Sequence, residues 1–308
     1  RLSDERIGDF KDRHRQYMKE RKTYKSKLCA PDVSVLVVDD NVMNLKVIKM
    51  MLKPTRMKVS TCASGAECLE LIKKYRYDII LMDQMMPEMD GMETFHRAML
   101  MRDSLCGRST YIVMTANAVM GAREMYLAEG FKDYISKPVQ PEVLEDILMR
   151  YIPEDKLVDP AVCDEDRESP TMGAGTVDEK TDVMGKQDSD ISCKEVHIDH
   201  EKGLTYCGGS EDFLKEIISM YAADDKRTEI QKAYDEKDWD GYRILIHTVK
   251  STSRTIGAME LGDEAQELEN AVKELDVDMI CKMHESVMAY YSAVPVSYTH
   301  LRAHETLA

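Results

Sequence analysis

From Val33 onward the chain alternates between two textures: short apolar runs, and longer segments whose apolar residues recur at three and four. VSVLVVDD reads as a buried strand ending in two acids, and NVMNLKVIKMMLK follows with Val42, Leu45, Ile48 and Leu52 on one helical face. MKVSTC is a strand, SGAECLELIKKY a helix opening on a Ser64 cap, and DIILM a third strand. GMETFHRAMLM is helical, STYIVMT extended, and NAVMGAREMYLAEG helical as far as Gly130. KDYIS is the fifth strand and VQPEVLEDILMRY the last helix. Five strands alternating with five helices predict an α/β unit over residues 31–152, its parallel, doubly wound sheet covered on both faces.

The pattern then breaks. Residues 153–195 are acidic and poor in large apolar side chains, which predicts a flexible, self-repelling linker. Over residues 196–294 helical periodicity returns without a strand signal. DFLKEIISMYAADDKRTEIQKAYDEKD, WDGYRILIHTVKSTSRTIGA, ELGDEAQELENAVKELD and VDMICKMHESVMAYYSAV predict a separate all-α, four-helix-bundle domain. Residues 1–30 carry ten Lys/Arg against five Asp/Glu and no apolar stripe, so they read as a connector from an upstream domain rather than a nucleic-acid arm. Residues 295–308, with PVSYTHLRAHET from Pro295 to Thr306, fit no fold logic. Their reverse translation resembles the end of a transposon-based sequencing adapter, so they are read as an artefact in which His300 and His304 have no role.

Composition narrows the function. A length of 308 residues suits two domains, and a formal charge of −15 argues against nucleic-acid binding by the chain as a whole. Eight scattered cysteines, with no zinc spacing among them, point to reduced thiols in a cytoplasm. No run approaches the length of a membrane-spanning helix, so no membrane contact is expected of this segment.

The chemistry lies where the predicted strands end. Asp39 and Asp40 end the first, Asp83 the third, Thr115 the fourth and Lys137 the fifth, and a parallel sheet brings all these ends to one edge. Three carboxylates in one small site need a balancing cation, and hard oxygen ligands suit Mg²⁺. A carboxylate beside Mg²⁺, with an ammonium and a hydroxyl nearby, can accept a phosphoryl group. Lys137 precedes Pro138, where a cis peptide would aim the ammonium inward. In the second domain, Tyr242, Leu245, Val249, Thr252 and Ile256 form an inner helical stripe. Arg243, His247, Lys250, Ser251 and Arg254 form the opposite one, which is expected to hold His247 in water as a nucleophile. Lys250 and Arg254 are free there to pair with phosphoryl oxygens.

VLVVDDN, ILMDQMMPEMDG, MTANA and DYISKP, in this order and spacing, resemble the flavodoxin-like receiver domain of two-component signalling. The resemblance implies that Asp83 is the phosphoacceptor, and that Asp39 and Asp40 hold Mg²⁺ together with Asp83 and the Met85 carbonyl. It implies further that Thr115 is the switch hydroxyl, that Lys137 contacts phosphoryl oxygens, and that Tyr134 is the aromatic that changes rotamer. HTVKSTSRTIGA resembles the histidine-phosphotransfer (HPt) motif, with Ser251 where glycine is commonest. Together they imply the phosphorelay tail of a bacterial hybrid sensor histidine kinase. An upstream kinase domain of the same polypeptide would load Asp83, and His247 would pass the group to a downstream response regulator receiver. Any inner-membrane anchor would belong to the parent kinase. The chain has no ATP-binding glycine boxes, so its own chemistry is phosphotransfer only. Two rivals stand beside this reading: a phosphorylation-gated interaction module in which His247 takes no part, and an aspartate-nucleophile phosphohydrolase.

Met85, next to the acceptor, offers no hydrogen bond to a hydrolytic water, which predicts a persistent phosphoaspartate. Met85→Asn is expected to speed dephosphorylation of the receiver, measured as loss of label after acetyl-phosphate loading. An unchanged rate would refute the inference.

Overall fold

Side chains on a strand alternate in direction, so a run apolar at every position has to be covered on both sides. The computed structural model, which describes residues 26–116, 121–160 and 197–306, meets that requirement with helices on each face. The elements run β1 (Ser34–Val38), α1 (Val42–Leu52), β2 (Lys58–Cys62), α2 (Gly65–Lys74), β3 (Ile79–Asp83) and α3 (Gly91–Leu100). They continue through β4 (Thr110–Thr115), α4 (Ala122–Glu129), β5 (Asp133–Ser136) and α5 (Pro141–Tyr151). All strand pairs are parallel, in the order β2-β1-β3-β4-β5. Val35, Val37, Ile79, Leu81 and Ile112 share a core with α1 and α5, whereas Leu36, Val38, Ile80, Met82 and Val113 share one with α2, α3 and α4. Every expected strand and helix of this domain is found. The fourth helix begins at Ala122, and residues 117–120 of the segment expected to open it lie outside the described residues.

The packed α/β unit is wider than 31–152. Leu28, Cys29 and Ala30 are buried, the Ala30 N–H donates to the Thr55 carbonyl at 2.9 Å, and the Val158 N–H donates to that of Cys29 at 2.9 Å. A short 3₁₀ turn at Glu154–Lys156 brings the Lys156 ammonium 2.7 Å from Asp78. The apolar Leu28-Cys29-Ala30 tripeptide thus belongs to the core, not to the basic connector. Most of the expected connector and linker lies outside the described residues. Cys62, Cys68, Cys106, Cys207 and Cys281 are free, but Cys29 is in a disulfide, so the expectation of wholly reduced thiols fails there.

The second domain is helical throughout its described residues, with α6 (His200–Tyr206), α7 (Glu211–Ala223), α8 (Arg227–Glu236), α9 (Trp239–Thr255), α10 (Met259–Glu274) and α11 (Val277–Thr306). The expected first helix is split into α7 and α8. Asp224 and Asp225 fall where a helix carboxyl end disfavours negative charge, and Asp225 instead accepts the Arg227 N–H at 3.0 Å. The remaining helices form the expected bundle: α9, α10 and α11 pack in succession, α8 lies on α9, and α7 reaches α11. The backbone of α11 continues through Pro295 to Thr306. No helix among the described residues is long and apolar enough to cross a membrane.

The bundle sits against the α1 side of the sheet. Met43, Val47 and Ile48 of α1 and Phe213, Leu214 and Ile217 of α7 belong to one continuous apolar cluster, and Lys46 pairs with Glu216 across the seam. At the sheet's carboxyl edge, Gly91 closes the loop after β3. A Cβ there would overlap the Asp83 carbonyl oxygen and stand 3.0 Å from the carbonyl carbon. Both are backbone atoms that cannot swing aside. Gly91→Ala is therefore expected to destabilise the domain by about 1–3 kcal/mol in urea unfolding.

Candidate functional site

The register of β1, β3, β4 and β5 brings Asp39, Asp40, Asp83, Thr115 and Lys137 to one edge, as expected. Ligand oxygens of Asp39, Asp40 and Asp83 lie within 4.8 Å of one another. The Lys137–Pro138 bond is cis. The Lys137 ammonium stands 2.6 Å from Asp39 Oδ2 and 2.7 Å from Asp83 Oδ2, all three side chains being buried. The other Asp39 oxygen accepts the Asn41 N–H and the Asn44 side-chain amide, each at 3.0 Å. Both Asp39 oxygens are therefore engaged, whereas Asp83 Oδ1 is buried without a hydrogen-bond partner. Three carboxylates whose oxygens converge this closely, with one ammonium among them, fit a hard divalent cation. Met85 lies half-buried in the loop after β3.

Burial works against the charge of Lys137, but Asp39 and Asp83 outweigh it and hold the ammonium above the usual lysine range. Burial pushes Asp83 up to about 7, against the opposing pull of Lys137, with Asp39 adding to the rise. Asp40 rises to about 6 through burial first and the Asp39 charge second. The site thus holds more negative charge than one lysine can satisfy.

Thr115 points its hydroxyl at Gln84 Oε1, 2.6 Å away, and the Tyr126 hydroxyl donates to the same oxygen at 2.6 Å. Tyr134 stacks on Tyr126 with ring centroids 6.5 Å apart.

In the second domain His247 is not in water. It is 6% exposed, and Lys250 is fully buried. The expected solvated stripe fails because α9 is covered by α10 on one side and by the first domain on the other. Ser251 and Thr255 line a crevice with Lys137 and Pro138. Thr248 and Thr252 line a cavity of about 540 Å³ with Asp40. His247 continues the Ser251–Thr255 row toward the amino end of its helix, and the Lys137 charge reaches it. His247 Nδ1 is 3.3 Å from Glu269 Oε2, and its Nε2 is buried without a partner. Lys250 and Arg254, expected to be free for phosphoryl oxygens, are engaged. Lys250 pairs with Glu269 and donates to Gln266 at 3.1 Å, and Arg254 pairs with Asp263 at 2.7 Å. Lys273 stands 2.7 Å from the other Glu269 oxygen. Burial alone would raise the Glu269 carboxyl, but His247 and Lys250 outweigh it and hold it below the usual range. Burial lowers His247 to about 4, with Glu269 opposing.

The partners that the sequence reading does not supply include Asn44, Gln84, Tyr126 and Glu269. Only Glu269 leaves a signal in the sequence. It lies four after Ala265 and three before Val272, a carboxylate in the middle of an apolar helical face.

Residues 35–149 match the response regulator receiver domain and residues 221–295 the Hpt domain. The chain therefore joins a receiver to a histidine-phosphotransfer domain, the pairing of two-component phosphorelay signalling. It is 27% identical over 255 residues to the signal transduction histidine-protein kinase BarA of Shigella flexneri, covering 80% of this chain and 25% of that protein. To the sensor protein GacS of Pseudomonas syringae it is 24% identical over 243 residues, covering 78% of this chain and 24% of that protein. The chain thus spans about a quarter of the length of these relatives. Among solved structures, the receiver domain of a Pseudomonas aeruginosa sensor histidine kinase, with magnesium in its active-site cleft, is 34% identical. It aligns with a TM-score of 0.35 over 39% of this chain and 97% of that one.

The lowered His247 value has a signed consequence. The folded chain holds the imidazole neutral, so the stability this gives is full above the ordinary value of 6.5 and is lost as pH falls toward 4. Between about pH 7.5 and pH 5, wild type should lose on the order of 2 kcal/mol more unfolding free energy than His247→Gln. The raised carboxylates act oppositely, but they are common to both proteins and cancel in the difference.

Proposed function

We propose that Asp83 accepts a phosphoryl group from a kinase histidine and that His247 of the same chain takes it over and passes it to a downstream receiver. The observation that carries this reading is the placement of two buried atoms, Asp83 Oδ1 and His247 Nε2, the latter on the helix row that meets Lys137 through Ser251 and Thr255. Both lack a hydrogen-bond partner at the positions where phosphorus would be bound. Asp39, Asp40, Asp83 and the Met85 carbonyl would hold Mg²⁺, which supplies charge neutralisation on the phosphoryl oxygens. Asp83 Oδ1 would attack the incoming phosphorus, with Lys137 paired to an equatorial oxygen and Thr115 donating to another.

Glu269 accepts from His247 Nδ1, so the ring proton stays there and the Nε2 lone pair faces outward. That nitrogen then attacks phosphorus, the Nε2–P bond forms as the P–O bond to Asp83 breaks, and Asp83 leaves as a carboxylate. Lys250 holds Glu269 rather than the phosphoryl group, so its part is to position the acceptor. Tyr134 would change rotamer as Thr115 moves. The kinase that loads Asp83 would be an upstream domain of the same hybrid polypeptide.

Acetyl phosphate with Mg²⁺ tests the reading in wild type, Asp83→Asn and His247→Gln. Wild type should carry both acid-stable aspartyl label and alkali-stable histidyl label. Asp83→Asn should carry neither, and His247→Gln only the aspartyl one. The initial rate of histidyl labelling per molecule should not change on dilution. Histidyl label in Asp83→Asn would refute the route, and a rate proportional to concentration would refute transfer within one chain.

A further inference from the structure

Gln84 directly follows the acceptor, and its backbone is fixed twice. Its N–H donates to the Met114 carbonyl at 2.9 Å, and its carbonyl accepts the Gly91 N–H at 3.0 Å. With the main chain pinned between β4 and the start of α3, the side chain lies across the end of β4. There one amide oxygen accepts two hydroxyls, Thr115 Oγ1 and Tyr126 Oη, each at 2.6 Å, and the hydroxyls are 3.3 Å apart. Thr115 and Tyr126 are buried, so these bonds are shielded from exchange with water.

We propose that Gln84 and Tyr126 are positioning residues that latch the Thr115 hydroxyl away from Asp83, so that phosphorylation has to break the Thr115–Gln84 bond. The inference rests on the assignment of Asp83 and Thr115 given above. A hydroxyl has one proton to donate. While Gln84 Oε1 takes it, a phosphoryl oxygen on Asp83 cannot. On phosphorylation the dianion, a stronger acceptor than a neutral amide, draws the Thr115 proton to itself. Gln84 then keeps only Tyr126 as a donor. The latch therefore stabilises the unphosphorylated state by one neutral hydrogen bond, a bias of about fivefold. It also reaches Tyr134, because Tyr126 stacks on that ring at 26°. Release of Thr115 changes what holds Tyr126, and with it the surface against which Tyr134 rests.

The test is a double-mutant cycle on the full chain, using trifluoroberyllate with Mg²⁺ as the phosphoryl mimic and calorimetric titration as the readout. Gln84→Met keeps the side-chain volume and removes the acceptor. It should tighten mimic binding about fivefold in the wild-type background and leave it unchanged in a Thr115→Ala background, where there is nothing to release. A purely structural role for Gln84 would shift both backgrounds alike, and that result, or no tightening at all, overturns the latch. Failure of wild type to bind the mimic saturably would instead overturn the phosphoacceptor assignment beneath it.

Discussion

The arrangement of the first domain depends on one buried ammonium. Lys137 stands between Asp39 and Asp83, bonded to both and almost wholly removed from water. A buried charge without partners costs several kcal/mol, so this triad is tolerated only where all three groups arrive together. That requirement falls on the sheet. β1, β3 and β5 must end at the same edge in the right register, because a slip of one residue would turn each group to the opposite face. The hydrogen bonds from Asn41 and Asn44 complete the neutralisation of Asp39, which leaves Asp83 Oδ1 as the oxygen the protein itself does not satisfy.

The second domain solves a similar problem with the signs reversed. Glu269 is a lone buried carboxylate surrounded by Lys250, Lys273 and the His247 ring, and it leaves one nitrogen unsatisfied in the same way. In both domains a buried group of one sign holds a reactive group that is one bond short. Such networks are rigid where satisfied, and an unsatisfied atom on a reactive group is a place where a ligand can bind.

The backbone of this protein was largely readable from sequence, because period-two and period-three-to-four patterns determine which faces must be covered. Asp39, Asp83, Thr115 and Lys137 could be placed for the same reason, since strand ends in a parallel sheet share an edge. The helical pattern places His247 in solvent, whereas the structure buries it. A helix with polar residues on one face can hide that face against another domain, and nothing in its own periodicity distinguishes water from a partner's surface. Gln84 and Tyr126 were missed for a related reason. A single hydrogen bond between a loop and a helix 42 residues apart leaves no periodic trace. Leu28, Cys29 and Ala30 read as connector in the sequence because three apolar residues are too few to register against a basic background.

The seam between the domains has the character of a contact that can be undone. Its ion pair, Lys46 with Glu216, is 39% and 51% exposed, and such pairs contribute about 0–1 kcal/mol. Most of the attraction has to come from the apolar residues of α1 and α7. Yet beside them lies a cavity of about 540 Å³ bordered by Asp40, Asp224, Lys226 and Glu229, where closer packing would have stranded charges without water. The seam therefore forgoes part of the burial open to it beside the acidic site. On the proposed reading this compromise is required rather than incidental. A receiver that held His247 with a fully packed interface would keep the phosphoryl group in equilibrium with its own aspartate and deny the same helix face to the next receiver.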